Sequence, residues 1–499
     1  MKPTRLDRCL GLCAAILWPL ILTCGHGFAA EGFAAEISLV PASMPRIGRI
    51  DERFQSYNIE MVEVTGGPFW RPYGAPGAGL FSEREPKDLG NARLRRLAAA
   101  LSPAFMRISG TSANTTYFAD TDDASTPPAG FKTVLTGRQW QGVIDFSRAV
   151  DAPIVTSLAV SAGTRNAAGI WQPDQARHLL AATRSMGGRI AAVELMNEPD
   201  LPRLGGVPDG YDAAAYKRDF AAFSAFMKRD APDVVVLGPG TIGGPSAAAL
   251  FAASAQGIDA VSYHYYGAVS ARCGGKQTPE AALSEAWLSR TDRTFAFYRE
   301  LRDRLAPGKP IWLTETAEAA CGGNPWSATF LDTFRYLDQL GRLAKAGVRV
   351  VMHNTLAGSD YGLLDERTFK PRPNYWGALL WRRLMGTTVL DSGGPIEPGL
   401  HLYAHCLRGA AGGVTLLAIN NDRNKAHTLR LPEASERYTL DTASLQGLAV
   451  RLNGTVLSLD NDDRLPRLAG VSMPAGPMIL PPATITFLAM ANAGNSVCR

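Results

Sequence analysis

Between residues 55 and 385 the chain alternates short, almost wholly apolar runs with longer amphipathic stretches. The apolar runs lie at 57–62, 104–108, 153–158, 190–195, 234–237, 260–263, 310–314 and 348–353. Most are continuous rather than alternating in polarity, the pattern of parallel strands covered on both faces. The stretches at 94–101, 137–149, 173–186, 212–228, 279–305 and 327–346 carry their apolar residues at helical spacing. Eight strands interleaved with helices predict an α/β fold of the (β/α)8 barrel type. A doubly wound open sheet is the alternative, but no Gly-rich phosphate loop follows the first strand, and a count of eight favours closure. From 388 onward the pattern changes to short strands separated by turn signals such as Gly412-Gly413, Asn420-Asn421-Asp422 and Asn453-Gly454. Runs at 414–419, 427–431, 455–459 and 483–488 predict a β-sandwich. The expected organisation is an N-terminal strand at 36–47 joining that sandwich, a barrel at 48–387 and the sandwich at 388–499.

Residues 1–30 read as an export signal rather than as structure. Lys2, Arg5 and Arg8 precede an apolar run at 9–23, and small residues follow at Ala29, Ala30, Ala34 and Ala35. The apolar run is shorter than the roughly 20 residues that span a bilayer, and no other segment qualifies, so no stable membrane insertion is expected. Thr23 is a poor residue ahead of a lipid-modified cysteine, which argues against anchoring at Cys24. A secreted or periplasmic location is therefore expected. Net charge is +5, or +3 once residues 1–30 are set aside. That is too mild for a nucleic-acid partner, which calls for a concentrated basic face. Beyond the signal, Cys273, Cys321, Cys406 and Cys498 remain, and four cysteines can pair in three ways. Joining Cys406 to Cys498 would tie the tail to its domain. No CxxC spacing points to zinc.

The chemistry sits at strand ends. The fourth apolar run leads into Met196-Asn197-Glu198-Pro199, and the seventh ends at Glu315. Barrel enzymes place catalytic groups at the C-terminal ends of strands. Two carboxylates projecting into one barrel mouth are what cleavage of a glycosidic bond needs, one protonated to help the leaving oxygen depart and one ionised to attack the anomeric carbon. A glutamate at one strand end is weak evidence alone; the strand-four and strand-seven pair is much stronger. His264 and His353 also lie at strand ends, but no third ligand at a metal-like spacing accompanies them, and pocket-lining roles are expected. Trp312, Trp376 and Trp381 read as core. Trp70 and Tyr73, in the Gly/Pro-rich segment 66–79, are the better candidates for sugar platforms. Arg107 reads as a buried support for the acidic site.

Six stretches carry a resemblance to a known family: FMRISGT at 105–111, VELMNEPD at 193–200, SYHYYG at 262–267, WLTETAEAACGG at 312–323, the run at 330–365, and PNYWGALLWRRLMGTTVL at 373–390. The chain resembles glycoside hydrolase family 79, the heparanase and β-glucuronidase family of retaining enzymes, over nearly its whole length past the signal. The resemblance implies a role for Glu198 as general acid/base and for Glu315 as nucleophile. It implies that Asn197 binds the hydroxyl at carbon 2, that Tyr265 contacts the nucleophile, and that Glu60 and Thr111 grip sugar hydroxyls. Gly322, Gly323 and Tyr361 would hold the glucuronate carboxylate through N–H groups and a phenol. Cys406 and Cys498 match a family disulfide. Where the family often has a tyrosine after the nucleophile, this chain has Ala320 followed by Cys321. Only a short stretch at 119–133 stands where human-type heparanase carries an excised linker, which predicts a single chain that needs no internal cutting.

The expected protein is a retaining glycosidase acting on glucuronic-acid-containing oligo- or polysaccharide, without metal or organic cofactor. A related barrel glycosidase on neutral sugars and a non-catalytic carbohydrate-binding protein are the rival readings.

Overall fold

The structure, a computed structural model, describes residues 36–499. The expected export signal, Cys24 included, lies outside the described residues. Eight parallel strands close into a barrel: β1 (Gln55–Glu60), β2 (Met106–Ser109), β3 (Ile154–Ser157), β4 (Ile190–Glu194), β5 (Val235–Thr241), β6 (Ala260–Val269), β7 (Ile311–Ala320) and β8 (Val350–His353). Each of the eight apolar runs supplies one of them. At one end of the barrel, Val155, Ala192, Leu237, Ala260, Trp312, Val350 and Met352 fill the bore. This apolar plug leaves the C-terminal ends of the strands as the place where polar groups gather.

A main helix follows each strand: α1 (Ala92–Ala100), α2 (Gly137–Ala149), α3 (Asp174–Ser185), α4 (Ala213–Asp230), α5 (Ala247–Ser254), α6 (Arg290–Leu305), α7 (Phe330–Lys345) and α8 (Pro373–Leu384). Their starts are chemical. Asn91 and Asp212 accept N–H groups of α1 and α4, and Thr136 with Gln139 forms a capping box on α2. The helical pattern at 279–305 breaks into a 3-10 turn, a short helix at Glu285–Leu288, and α6. Ser284 divides it by capping the Trp287 N–H.

The C-terminal region is a sandwich of unequal sheets. The larger has ten strands, including Met385–Leu390, Leu400–Leu407, Val414–Asn420, Ser435–Asp441 and Thr484–Met490. The smaller joins Ile37–Ser38, His427–Leu431 and Gly476–Leu480. Leu402, Leu416, Leu488, Leu429 and Met478 pack together between the two sheets. The N-terminal segment enters both sheets, Ile37–Ser38 pairing parallel with His427–Leu431 and Arg46–Arg49 pairing antiparallel with Met385–Leu390. The sheet regime starts at Met385, directly where α8 ends.

Helix α7 is buried on every face, wedged between the barrel wall and the larger sheet. It carries an ionic knot into that seam. Asp338 accepts from Tyr403 Oη at 2.6 Å and from His401 Nδ1 at 2.5 Å, and Arg342 joins Asp338, Asp292 and Glu285. Disulfides join Cys406 to Cys498 and Cys273 to Cys321.

Candidate active site

Arg107 of β2 stands at the centre of the barrel mouth, fully buried. Its guanidinium donates to Glu194 Oε2 at 2.9 and 3.1 Å, to Glu315 Oε2 at 2.7 Å and to Asn197 Oδ1 at 2.8 Å. It also lies 3.2 Å from His264 Nε2. The planar fork thus fixes groups from β4, β6 and β7 at once, a task a lysine point charge performs poorly. Such a cation in an apolar barrel costs several kcal/mol unless paired, and Glu194 and Glu315 supply the pairing.

Glu315 reaches this cluster through a bulge. Strand β6 pairs Tyr263 with Leu313 and then His264 with Glu315, so β7 gains one residue, Thr314. Both neighbours turn inward: Thr314 donates to Glu194 Oε1 at 3.0 Å, and Glu315 Oε1 accepts from Tyr266 Oη at 2.5 Å. Burial pushes the Glu315 carboxyl up, but His264, Arg107 and the Tyr266 phenol outweigh it and hold it below the ordinary carboxylate range.

The tyrosine on the nucleophile candidate is Tyr266, and this corrects the expectation for Tyr265. Strand alternation sets the outcome: His264 and Tyr266 point into the barrel, whereas Tyr265 points outward among Arg335, Arg290 and Asp292 of the enclosing helices.

Glu198 leaves the end of β4 with φ +47°, the left-handed region that a non-glycine residue rarely occupies. This backbone aims its carboxylate at His264, whose Nδ1 lies 3.1 Å from Oε1. Asn114 brackets the preceding residue, accepting the Asn197 N–H at 2.8 Å and donating to the Asn197 carbonyl at 2.9 Å. Ligating atoms of Glu198, His264 and Glu315 all lie within 4.8 Å of one another. The spacing would suit a metal ion, but the residues do not fit one: the Arg107 guanidinium already occupies Glu315 Oε2 and abuts His264, so a cation there would meet a fixed positive charge.

Glu60, at the end of β1, faces the same cavity. Its Oε2 lies so close to Gly110 that a Cβ there would stand 1.5 Å away, so only glycine serves at 110 (φ +90°). Burial and the Glu315 charge push the Glu60 carboxyl well up, against a hydrogen bond from Asn354. Asn354 Nδ2 gathers Glu60 Oε1 at 3.0 Å, Tyr266 Oη at 3.0 Å and Tyr361 Oη at 3.4 Å. Tyr361 therefore stands beside Glu60. Thr111 is exposed on the lip, next to Gly110.

Gly322 and Gly323 form a buried turn with φ +81° and +85°. A Cβ on Gly322 would stand 2.6 Å from Trp70 Cβ and 2.7 Å from Ser359 Oγ. The turn is braced from below by Glu318, which accepts the Asn324 N–H at 3.0 Å, Asn324 Nδ2 at 2.8 Å and the Ser327 hydroxyl. Burial pushes Glu318 up to about 7. From the side, Ser270 Oγ donates to the Gly323 carbonyl at 2.7 Å.

Sequence reading missed Glu194, Tyr266, Asn354 and Glu318. Glu194 and Arg107 each left a signal: a charged residue inside an apolar strand needs a buried partner, and these two are each other's. Asn354 left none.

This site, at the C-terminal ends of the strands of a closed parallel barrel, defines a barrel glycoside hydrolase. The profile for "Glycosyl hydrolase family 79, N-terminal domain" matches residues 88–341, just over half of the chain. The chain belongs to glycosyl hydrolase family 79. It is 29% identical to heparanase from Mus musculus over 480 residues, covering 82% of this chain and 88% of the mouse protein. It is 33% identical over 219 residues to inactive heparanase-2 from Homo sapiens, covering 39% of this chain and 37% of that protein. Among solved structures, a 4-O-α-L-rhamnosyl-β-D-glucuronidase from Fusarium oxysporum 12S superposes with a TM-score of 0.66 at 14% identity, covering 91% of this chain and 100% of that one. A GH51 α-L-arabinofuranosidase from Thermotoga petrophila superposes at 0.65 with 13% identity, covering 91% and 99%. These last two likenesses speak for the fold.

Proposed function

We propose that the protein is an exported, retaining β-glucuronidase acting on β-linked glucuronides or glucuronic-acid-containing glycans. The observation that carries the mechanism is that one carboxylate oxygen of Glu198 lies within 4.8 Å of one of Glu315, which leaves little room for a water held between the two groups. Retaining glycosidases hold their carboxyl groups ~5–5.5 Å apart, whereas inverting ones leave ~6.5–9.5 Å for a water. Glu315, kept ionised by Arg107 and Tyr266, attacks the anomeric carbon. The bond to the leaving oxygen breaks as Glu198 gives that oxygen its proton. Glu198 then takes a proton from water, whose oxygen attacks the same carbon and releases Glu315. Glu198 lies against His264 rather than against Arg107, with its Oε1 3.1 Å from Nδ1.

Substrate choice follows from the cradle. Asn197 faces the hydroxyl at carbon 2 and Glu60 the remaining hydroxyls. The N–H groups of Gly322 and Gly323 and the Tyr361 phenol receive the carboxylate, a neutral donor set that binds an anion by hydrogen bonding. Two disulfides among the described residues suit an oxidising compartment, in keeping with export.

The test compares chromogenic β-glucuronide, β-glucoside and β-xyloside, with the anomer first released followed by NMR. Hydrolysis of the glucuronide with release of the β-anomer is expected. Glu198→Gln should lose about 10²–10⁴ in rate, and Glu315→Gln more, with melting little changed. Preference for the xyloside would favour the neutral-sugar reading, and no turnover on any glycoside the binding-protein reading.

A further inference from the structure

We infer that this site removes glucuronate one residue at a time from the non-reducing end of a chain and does not cut chains internally. The inference rests on the glucuronide reading above, because it uses the way the sugar ring lies in the cradle.

The observation is a hairpin on the rim of the barrel mouth, over the side formed by β1, β8, β7 and β6. It starts just after Glu60 and the short helix Met61–Thr65, and pairs Gly67–Trp70 with Phe81–Arg84. Its connecting loop is fastened to the loops that follow β6, β7 and β8. The Tyr73 N–H donates to Asp360 at 3.0 Å, and the Tyr73 phenol lies 2.9 Å from Ser270 Oγ. Arg272 stacks on the Tyr73 ring with its guanidinium carbon 3.9 Å from the centroid, pairs with Asp360 at 2.9 Å and donates to the Arg71 carbonyl. Ser359 Oγ donates to the Trp70 carbonyl at 3.2 Å, while Trp70 packs over Gly322. The Cys273–Cys321 disulfide joins the loops after β6 and β7 close to this contact. The Arg272 and Asp360 side chains keep 10% and 9% of their exposure. This is a built wall with stacked, paired and hydrogen-bonded anchors, not a loop lying free.

The ring order of a pyranose says what the wall blocks. Carbon 1 lies at Glu315, the carbon-2 hydroxyl at Asn197, and the carboxylate on carbon 5 at Gly322, Gly323 and Tyr361. Carbons 3 and 4 must then face the arc running from Glu60 to Gly322. The hairpin leaves at one end of that arc and lands on the other. A sugar attached through the carbon-4 oxygen would have to pass through it, whereas the leaving group at carbon 1 departs on the open side.

The experiment uses the full enzyme and three substrates: 4-nitrophenyl β-glucuronide, an oligosaccharide of alternating glucuronate and N-acetylglucosamine ending in glucuronate at its non-reducing end, and the same oligosaccharide extended by one N-acetylglucosamine on that glucuronate. Hydrolysis of the first two is expected, the second releasing free glucuronate, with the capped chain cleaved at least about 100-fold more slowly. Comparable internal cleavage of the capped chain overturns the inference while leaving the glucuronide reading intact. Failure on the nitrophenyl glucuronide overturns both. Replacing residues 71–80 by two glycines should raise the rate on the capped chain at least about 10-fold relative to the nitrophenyl glucuronide. A shortened enzyme that still cleaves the nitrophenyl glucuronide but spares the capped chain as before removes the hairpin from its assigned role and overturns the inference.

Discussion

Among the described residues, two ionic clusters of similar make-up invite comparison, one in the seam between barrel and sandwich and one at the barrel mouth. In the seam between barrel and sandwich, Asp338, Asp292 and Glu285 face Arg342 and His401, and every oxygen of Asp338 has a partner. In the barrel mouth, four glutamates at 60, 194, 198 and 315 share one arginine and one histidine. The seam is the closer to charge balance, with Asp292 half-exposed at its edge; the mouth carries the larger excess of negative charge on glutamates that are nearly all buried. Within the mouth, burial and the Glu315 charge push the Glu60 carboxyl well up, while His264 and Arg107 hold Glu194 and Glu315 below the ordinary range. Burial of charge marks a strut as readily as a reactive centre. Surplus carboxylate and access to a ligand separate the two.

The largest effect that would sharpen this contrast comes from removing each cluster's arginine. Arg107→Met and Arg342→Met should each destabilise the fold by about 3–5 kcal/mol, since each strands buried carboxylates. Urea denaturation measures that cost. Activity per folded molecule should collapse only for Arg107→Met; a comparable loss in Arg342→Met would erase the distinction.

A second, smaller effect tests the two adjacent tyrosines. Tyr266→Phe removes a hydrogen bond to an ionised group, worth about 1.5–3 kcal/mol, and should lower kcat roughly 10–100-fold. Tyr265→Phe should leave kcat near its starting value. The reverse ranking would place the wrong face of β6 in the mouth.

The smallest effect belongs to the seam. Burial works against the charge on His401, but Asp338 and Glu285 outweigh it and push it up to about 9. A free histidine titrates near ~6.5. The folded state therefore binds that proton more tightly, its stabilisation is complete below ~6.5, and it is lost as pH rises through about 9. Melting temperature should fall between pH 7 and 9.5, and less steeply in His401→Gln. Identical slopes would detach the seam from this titration.

How much of this was legible in the chain depends on the element. Apolar runs marked all eight barrel strands, most of them continuous because strands buried on both faces seldom keep a polar half; β1, with Gln55, Ser56, Asn58 and Glu60 all buried, is the exception. Helices α5 and α8 escaped the same logic: Ala247–Ser254 and Pro373–Leu384 lack a sustained polar face. Glu198 was placed correctly beyond the end of β4, but Glu315, expected where the seventh run ends, lies inside β7, which continues to Ala320; it was the pair of glutamates after two apolar runs, not either alone, that marked the site. Tyr266 could not be separated from Tyr265 by position alone, because one residue of slip in a strand reverses which side chain faces inward. The bulge at Thr314 and the reach of Asn354 to three partners depend on contacts between distant segments, for which local pattern holds no trace.

The entry of the N-terminal segment into both sheets of the sandwich has a temporal side. Arg46–Arg49 pairs with Met385–Leu390, so roughly 340 residues must be synthesised in between, some 20–70 seconds at about 5–20 residues per second. A strand made early is thus among the last to find its mate. Its sequence, RIGR, is suited to the wait: two like charges on a four-residue segment discourage pairing with strangers while its own sheet is still unbuilt.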